Sequence, residues 1–535
     1  GRAEEAQALL GRASGADIPY LDSNVCAEGA APVAASTRRL DPSRAGACYD
    51  ALLRAWSKKA SLSARAESDD ARKMRWDESG GARSRETSSA ESSLAQARHV
   101  VLNHMPLLPG PAITNRTCAA VLGGYSSAGM GAKSERMLME LEALHLSPHY
   151  SSNSVEPSAS PSSLDVACYN TVLHAYGQSE DSDAVVRAER LFSAMRKRTP
   201  LNVAVEDFAV DVVEAGKAPA PSSPSFSIVP PAPDLISFSS MLNCLGRHGA
   251  VPRAEALLEG MHGGDLAPNA ACYHAVLRAL GASDDADAPG RALVWLERGR
   301  RSLARPSRIL HVAALQCMSR HGRGEEAEAV LDGFREAFPD GRGGGPDPYS
   351  HGLVLRAWER TRARADWPGA ADRARAFFDE MNAPDVGACN TLLNCYARAG
   401  EADKAERLLA DLEGGRSINV RPNSKSYSMV IKALANSDAD DAVDRARRIL
   451  HRLGYPEDVK SAPPPSGTVP FDVTMDNLNS MLKLLAKRGM ATEAEALLNE
   501  IDELIVEGTI SRTGPDIQSY EAVLEALGRC GDADA

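Results

Sequence analysis

The ten cysteines, the twelve histidines and a surplus of acidic residues are the obvious carriers of chemistry in this 535-residue chain. The cysteines keep a register rather than a ligand spacing. Cys48, Cys168 and Cys272 each precede a Tyr in three similar strings, ACYDALLRAWS at 47–57, ACYNTVLHAYG at 167–177 and ACYHAVLRALG at 271–281. Cys118 and Cys389 stand one step further along the same string, and Cys244 and Cys395 further still. No C-x-x-C occurs, which argues against a zinc site. Cys packs well as a small hydrophobe, and free thiols fit a reducing compartment. The HxE and C-x-x-C pair of a zinc deaminase is also absent. The run SDADDAVD at 437–444 could imitate a carboxylate cluster. Its place between two helical strings gives it a simpler role, placing negative charge at the start of the second helix. No catalytic residue, metal ligand set, cofactor or small-molecule substrate is expected, and the chain does not read as an enzyme.

The elements that carry these residues repeat. Echoes of the first string start at Ser237, Ala388, Ser426, Asn477 and Ser519, with apolar residues three and four apart, as in Tyr169, Val172, Leu173 and Tyr176. That is the period of a helix with one buried face. A second amphipathic string follows, such as RAERLFSAM at 187 and KAERLLADL at 404, with Ala always at its second position: Ala188, Ala254, Ala327, Ala374, Ala405, Ala446 and Ala494. A small residue at one fixed helical position predicts close approach of a neighbouring helix. Gly249, Gly322, Gly400 and Gly489 lie five residues before such an Ala and suit the C-terminal cap of the first helix. Pro followed by Asp or Asn closes the unit, as at Pro268-Asn269, Pro346-Asp347 and Pro422-Asn423, stopping one helix and capping the next. From Asn269 through Ser307, Asp347 and Asp385 to Asn423 the steps are 38, 40, 38 and 38 residues. A two-helix unit of this length predicts an all-α fold, an α-solenoid superhelix of about ten helix-turn-helix repeats in which each hairpin buries its faces on its neighbours.

The repeats divide the chain into degenerate N-terminal repeats at 1–165, a repeat with a long insert at 166–234, a regular array at 235–454, a linker at 455–472 and C-terminal repeats at 473–535. Segments 57–90, 149–164, 199–233 and 455–472 are rich in Ser, Pro, Ala, Gly and charge and read as flexible inserts. Within them VAVEDFAVDVVEAG, 203–216, could form one short extra helix. No stretch of 18 apolar residues is present, so no membrane partner is expected. The chain starts and stops inside repeats, so a targeting peptide or a further domain would lie outside it. The net charge is −12, whereas nucleic-acid binders usually carry a basic surface.

The strings VACYNTVLHAYG with RAERLFSAM, and VGACNTLLNCYARAGEADKAERLLADLE closing in RPN, resemble the pentatricopeptide repeat of the P type. Tetratricopeptide repeats share the length and the closing Pro, but their first helix expects Trp and then Leu-Gly before a Tyr. The resemblance covers roughly ten units and implies a binder of single-stranded RNA, acting in RNA processing, stability or translation in a mitochondrion or chloroplast. It also implies where bases would be read: at the residue after the Tyr of the first helix, together with the last residue of the unit. The matching pairs are Asn170 with Asp234, Ser239 with Asn269, Asn390 with Asn423 and Asn479 with Asp516. By the family's code these resemble readers of U, A, C and U. The first pair spans the long insert. His274 with Ser307, Val312 with Asp347 and Gly352 with Asp385 depart from the pattern, and Ser428 with Thr474 stays open. Arg247, Arg320, Arg398, Lys487 and Arg529, two residues before the turn, would by the same resemblance contact phosphate. Each candidate has a plain alternative: Asp and Asn at unit ends cap helices, and a cation in the last turn suits the helix dipole. Two other readings remain open. The chain could be a scaffold for protein partners, or the RNA-recognition arm of a proteinaceous RNase P whose nuclease domain lies outside it.

Overall fold

A computed structural model describes residues 89–99, 101–102, 115–146, 164–203, 226–264, 266–338, 345–361, 369–381, 384–414, 420–453, 473–506 and 515–530. Cys48 and its string, the N-terminal string at 5, the linker 455–472 and most of the other inserts lie outside them. The described chain is an α-solenoid of helical hairpins. Helix α1, Ser89–His99, is followed by first helices α2 (Asn115–Ser127), α4 (Val166–Gln178), α6 (Leu235–Arg247), α8 (Ala270–Ala282) and α10 (Arg308–His321). The series of first helices continues with α12 (Pro348–Arg360), α14 (Val386–Ala399), α16 (Ser424–Asn436), α18 (Met475–Lys487) and α20 (Ile517–Cys530). The second helices between them are α3 (Gly131–Leu146), α5 (Ala184–Lys197), α7 (Val251–His262), α9 (Ala288–Ser302) and α11 (Gly324–Ala337). They continue with α13 (Ala370–Asp379), α15 (Ala402–Gly414), α17 (Ala442–Arg452) and α19 (Ala491–Val506). The chain divides into two compact units, Gly1–Ala279 and Leu280–Ala535.

Within each unit a first helix packs on its own second helix and on the first helix of the next hairpin. The apolar positions read from the sequence make this core: Tyr169, Val172, Leu173 and Tyr176 are fully buried, as are Tyr273, Val276, Leu277 and Leu280. All seven repeated alanines have 0% exposure, and Ala292 and Ser134 fill the same place in α9 and α3. Because these sites are already in contact with a neighbouring helix, a larger side chain would overpack them. The turn glycines take the left-handed conformation, with φ of 73° at Gly249, 64° at Gly322, 71° at Gly400 and 69° at Gly489. At Gly322 a Cβ would lie 2.3 Å from the Arg360 carbonyl oxygen, so both backbone angle and space require glycine there.

The two ends of the insert at 199–233 form regular structure, while the helix expected at 203–216 lies outside the described residues but for Val203. Strand β1 (Leu201–Val203) pairs antiparallel with β2 (Phe226–Ile228), Leu201 opposite Ile228. This two-strand ribbon brings Asp234 back beside α4; residues 204–225 lie outside the described set. Two other insert boundaries also shift. Ser89 and Ala90 belong to α1, and Leu164 is 1% exposed with its N–H donating to Glu142 at 2.9 Å.

Candidate nucleic-acid interface

Counting from the N-cap of each first helix, positions 4, 7, 8 and 11 form the core. Positions 2, 5, 9 and 13, spaced by three or four residues, form a second stripe, exposed or half-buried apart from position 5 of several repeats. In α6 the stripe is Ile236, Ser239, Asn243 and Arg247; in α10 it is Ile309, Val312, Gln316 and Arg320. Ile236, Ile309 and Tyr349 at position 2 are 61%, 56% and 52% exposed. These apolar side chains were not singled out from sequence, because an isolated exposed Ile carries no signal of its own.

At position 5 three of the four expected pairs are joined. The Asn170 Nδ2 donates to Asp234 Oδ1 at 3.0 Å across 64 residues of chain, so the long insert does not break this pair. Asn390 Nδ2 donates to Asn423 Oδ1 at 3.3 Å, and Asn479 Nδ2 to Asp516 Oδ1 at 3.1 Å. Asn170 and Asn479 are buried, Asn390 half-buried. Ser239 and Asn269 are not joined. Ser239 Oγ donates to the Ile236 carbonyl at 3.0 Å, and Asn269 Oδ1 accepts only from the Cys272 N–H at 3.1 Å. Ser428 accepts from Asn477 Nδ2 at 2.9 Å, while Thr474 bonds Ser424.

The capping alternative is also realised, by the same atoms. Asp234 Oδ1 accepts the Ser237 N–H at 2.8 Å, Asn423 Oδ1 the Ser426 N–H at 3.1 Å, and Asp516 Oδ1 the Ser519 N–H at 3.0 Å. Capping and pairing therefore use one oxygen and leave the other terminal atom of the side chain without a side-chain partner. That atom is Oδ2, an acceptor, in Asp234 and Asp516, and Nδ2, a donor, in Asn423. Burial alone would raise the Asp234 carboxyl, but the Ser237 N–H, the Asn170 amide and the Ser237 hydroxyl outweigh it and hold the group below its usual range.

The expected phosphate contacts occupy position 13, and all five side chains are exposed. Their hydrogen bonds reach backward along the stack. Arg320 donates to the Gly281 carbonyl at 3.4 Å, Arg398 to the Glu359 carbonyl at 3.0 Å and Arg529 to the Lys487 carbonyl at 3.3 Å. Lys487 bonds the Asn436 side chain. The cations thus cap the C-terminus of the preceding first helix, not only their own, which suits that helix's dipole. Among the described residues Arg247, Arg320, Arg398 and Lys487 have no carboxylate partner, whereas Arg529 pairs with Glu525 at 2.8 Å. Arg360 holds position 13 of α12 and is likewise without a carboxylate. It escaped the sequence rule because Thr361, not Gly, ends its helix. Arg320, Arg323, Arg360 and Arg398 line one open depression of about 550 Å³. Position 9 adds Arg278, Lys432 and Lys483. Crowding of like charge shows in their neighbours: burial and then Arg247 push His174 down, and burial and then Arg247 do the same to Arg278.

The second helices carry the opposite arrangement. Arg253 of α7 pairs with Glu189 of α5 at 3.1 Å, Arg373 of α13 with Glu328 of α11 at 2.5 Å, and Arg445 of α17 with Asp403 of α15 at 2.6 Å. Lys404 of α15 pairs with Asp372 of α13, and Arg447 of α17 with Glu493 of α19. Arg190 of α5 with Glu135 of α3 and Arg452 of α17 with Glu413 of α15 are paired in the same way. Among the described residues no group of three or more His, Cys, Asp or Glu is placed to hold a metal ion, and no described helix is long and apolar enough to cross a membrane. Cys168, Cys244, Cys272, Cys317, Cys389 and Cys395 are buried free thiols, and Cys118 is buried too.

Repeated hairpins, most with a cation in the stripe of the first helix, define an α-solenoid. Residues 384–436 match the PPR repeat family, and residues 236–265 and 478–504 match the PPR repeat. No curated protein matches the chain by sequence. The fold is similar to the crystal structure of the pentatricopeptide repeat protein PPR10 from maize, with a TM-score of 0.51 and 18% identity over 100% of this chain and 60% of that one. This chain therefore spans 60% of that protein's length. PPR10 in complex with an 18-nt psaJ RNA element aligns at 0.36 and 19%, over 92% and 60% of the two chains. Yeast Rmd9p in complex with a 16-nt target RNA aligns at 0.43 and 10%, over 92% and 91%. The chain thus carries three segments that match pentatricopeptide repeat models, on a fold similar to a pentatricopeptide repeat protein.

Proposed function

We propose that the stripe of first-helix side chains binds single-stranded RNA and reads individual bases at three repeats. The observation that carries this reading is the set of three joined pairs, each with one terminal atom of defined polarity that has no side-chain partner. Asp234 and Asp516 offer an acceptor beside the remaining N–H of Asn170 or Asn479. A donor next to an acceptor complements the uracil edge, where N3–H donates and the carbonyl oxygens accept. Asn423 offers a donor beside the donor of Asn390, which complements cytosine, whose N3 and O2 both accept. The assignments U, C and U thus have a hydrogen-bonding basis independent of the family's code. The exposed apolar side chains at position 2 supply surfaces on which a base can stack, and the position-13 cations supply phosphate contacts.

The unit with Ser239 and Asn269 offers no joined pair, and an A reading there has no support from this geometry. PPR10 and Rmd9p are proteins known in complex with RNA, and the property is extended to this chain as a proposal. A role in organellar RNA processing, stability or translation, in a mitochondrion or chloroplast, follows from the family resemblance alone. The scaffold reading is weakened, because the acids of the described helices lie mostly on the second helices and not on the stripe. Filter binding with single-stranded and duplex RNA pools of matched composition tests the reading. Retention of the single strands is expected; retention of neither pool, with a protein captured instead, would leave the scaffold reading in its place.

A further inference from the structure

We infer that a third residue, the serine at position 3 of the following repeat, sets the orientation of each base-reading asparagine: Ser237 for Asn170, Ser426 for Asn390 and Ser519 for Asn479. This role rests on the RNA reading above and sharpens it to a specificity determinant.

In all three sites the serine hydroxyl donates to Asn Oδ1, at 2.5 Å from Ser237, 2.6 Å from Ser426 and 2.6 Å from Ser519. The serine oxygen is also engaged as an acceptor, from the backbone N–H of Asp234 at 3.0 Å, of Asn423 at 3.1 Å and of Asp516 at 3.1 Å. Its single proton also has the cap Oδ1 within reach, at 3.0 Å in Asp234, 3.1 Å in Asn423 and 3.0 Å in Asp516, and the shorter contact is the one to the amide oxygen. With Oδ1 held there, one Nδ2–H goes to the cap oxygen and the other remains for a ligand. Rotating the amide by half a turn would put its oxygen against the cap oxygen, two acceptors facing each other at about the present separation, and would give up the short serine bond for the longer one to the cap oxygen. The serine and the cap oxygen together thus disfavour the flipped amide and keep a donor on the reading edge.

The remaining repeats behave as this role requires. Where Cys272 takes position 3, its thiol is too weak a donor to do the same, and the Ser239–Asn269 pair is open. Where Asn477 takes position 3, the direction reverses and it donates to the position-5 residue Ser428. Ser426 is fully buried, so it cannot reach a base itself and acts only through Asn390.

The test is selection from a random-sequence single-stranded RNA pool with the full chain and its variants. Asn423→Asp identifies the nucleotide facing this repeat, since it turns a donor into an acceptor and should switch that nucleotide from C to U. At that nucleotide Ser426→Ala and Ser426→Cys should each lower the preference for C over U by about threefold to tenfold, the worth of one net hydrogen bond. The cysteine variant copies a residue this chain already uses at position 3, so it keeps folding separate from reading. Ser426→Thr, which retains the hydroxyl, should restore the preference to within about twofold. Asn390→Ala with Ser426→Ala should discriminate no worse than Asn390→Ala alone. If the wild-type chain selects RNA and Ser426→Ala keeps the full C preference, the serine has no positioning role and the RNA reading stands. Loss of preference in Ser426→Thr equal to that in Ser426→Ala also overturns the role. A wild-type chain that selects no RNA overturns both.

Discussion

The second helices of this chain are rich in charge and the first helices sparing with it, and the two sets use their charges differently. On the second helices a cation of one hairpin meets an acid of the next, as Arg373 meets Glu328 and Arg445 meets Asp403 and Glu406. On the first helices Arg247, Arg320, Arg360 and Arg398 meet no acid and lean on backbone carbonyls or on nothing. A net charge of −12 therefore does not describe the surface that matters. A partner anion meets the stripe within about a Debye length, roughly 10 Å at 0.1 M salt, while the paired acids are largely neutralised by their own cations.

The sharpest way to break this comparison is to remove the stripe's cations. Arg320→Ala, Arg360→Ala and Arg398→Ala together should lower the slope of log affinity against log salt by about 2 and weaken all single-stranded RNA sequences alike, by about a hundredfold at 0.1 M salt. Unchanged affinity in filter binding would show that the unpaired state of these residues has no consequence.

A second test strikes the hairpin interface. Ala405→Phe should cost about 1–3 kcal/mol by overpacking. The loss should appear as faster hydrogen exchange in α14 to α17 and not evenly along the chain, because each repeat contacts only its neighbours. Even loss across the chain would contradict a stack of local units.

The third prediction concerns Glu142 of α3, a second-helix acid that lacks a cation. It is fully buried, and burial raises its carboxyl above the usual value, opposed by hydrogen bonds from the Tyr169 hydroxyl and the Leu164 N–H. A group raised in the folded state favours folding below its unfolded value and loses that contribution as pH rises through the folded value. Glu142→Gln keeps an acceptor for both donors and removes the charge. It should leave stability equal at pH 4 and raise it slightly at pH 8, by thermal melting; a lower melting temperature at pH 8 would show that the charged carboxylate is favoured where it lies. The smallest effect belongs to the paired face: Arg373→Ala should cost under about 1 kcal/mol, as exposed ion pairs do, and leave the RNA salt slope unchanged.

The sequence made the array legible where a residue recurs for a local reason. The buried Ala and the left-handed turn Gly recur because every hairpin closes the same way, and both could be counted. The pairs at position 5 were legible through the family resemblance, and their capping role through chemistry. Three features were not legible. The serine at position 3 looks like an ordinary helix start, since its bond to an asparagine of the preceding repeat links residues 36 to 67 apart in sequence. The ribbon of Leu201–Val203 with Phe226–Ile228 is too short for an alternating pattern to show. The ion pairs between second helices join residues 32 to 64 apart and become neighbours only through stacking. Ser239 with Asn269 was legible as a pair and is not one: the short Ser239 side chain turns to the Ile236 carbonyl, and position 3 holds Cys272 in place of serine.

The measurement that bears most directly on the difference between the two faces is the salt dependence of single-stranded RNA affinity for the unmodified chain. With about five unpaired cations on the stripe and about 0.7 per phosphate neutralised, log affinity should fall against log salt with a slope of roughly −3 to −4. A slope near zero, or no affinity at low salt, would mean that the cations of the first helices do not face an RNA backbone.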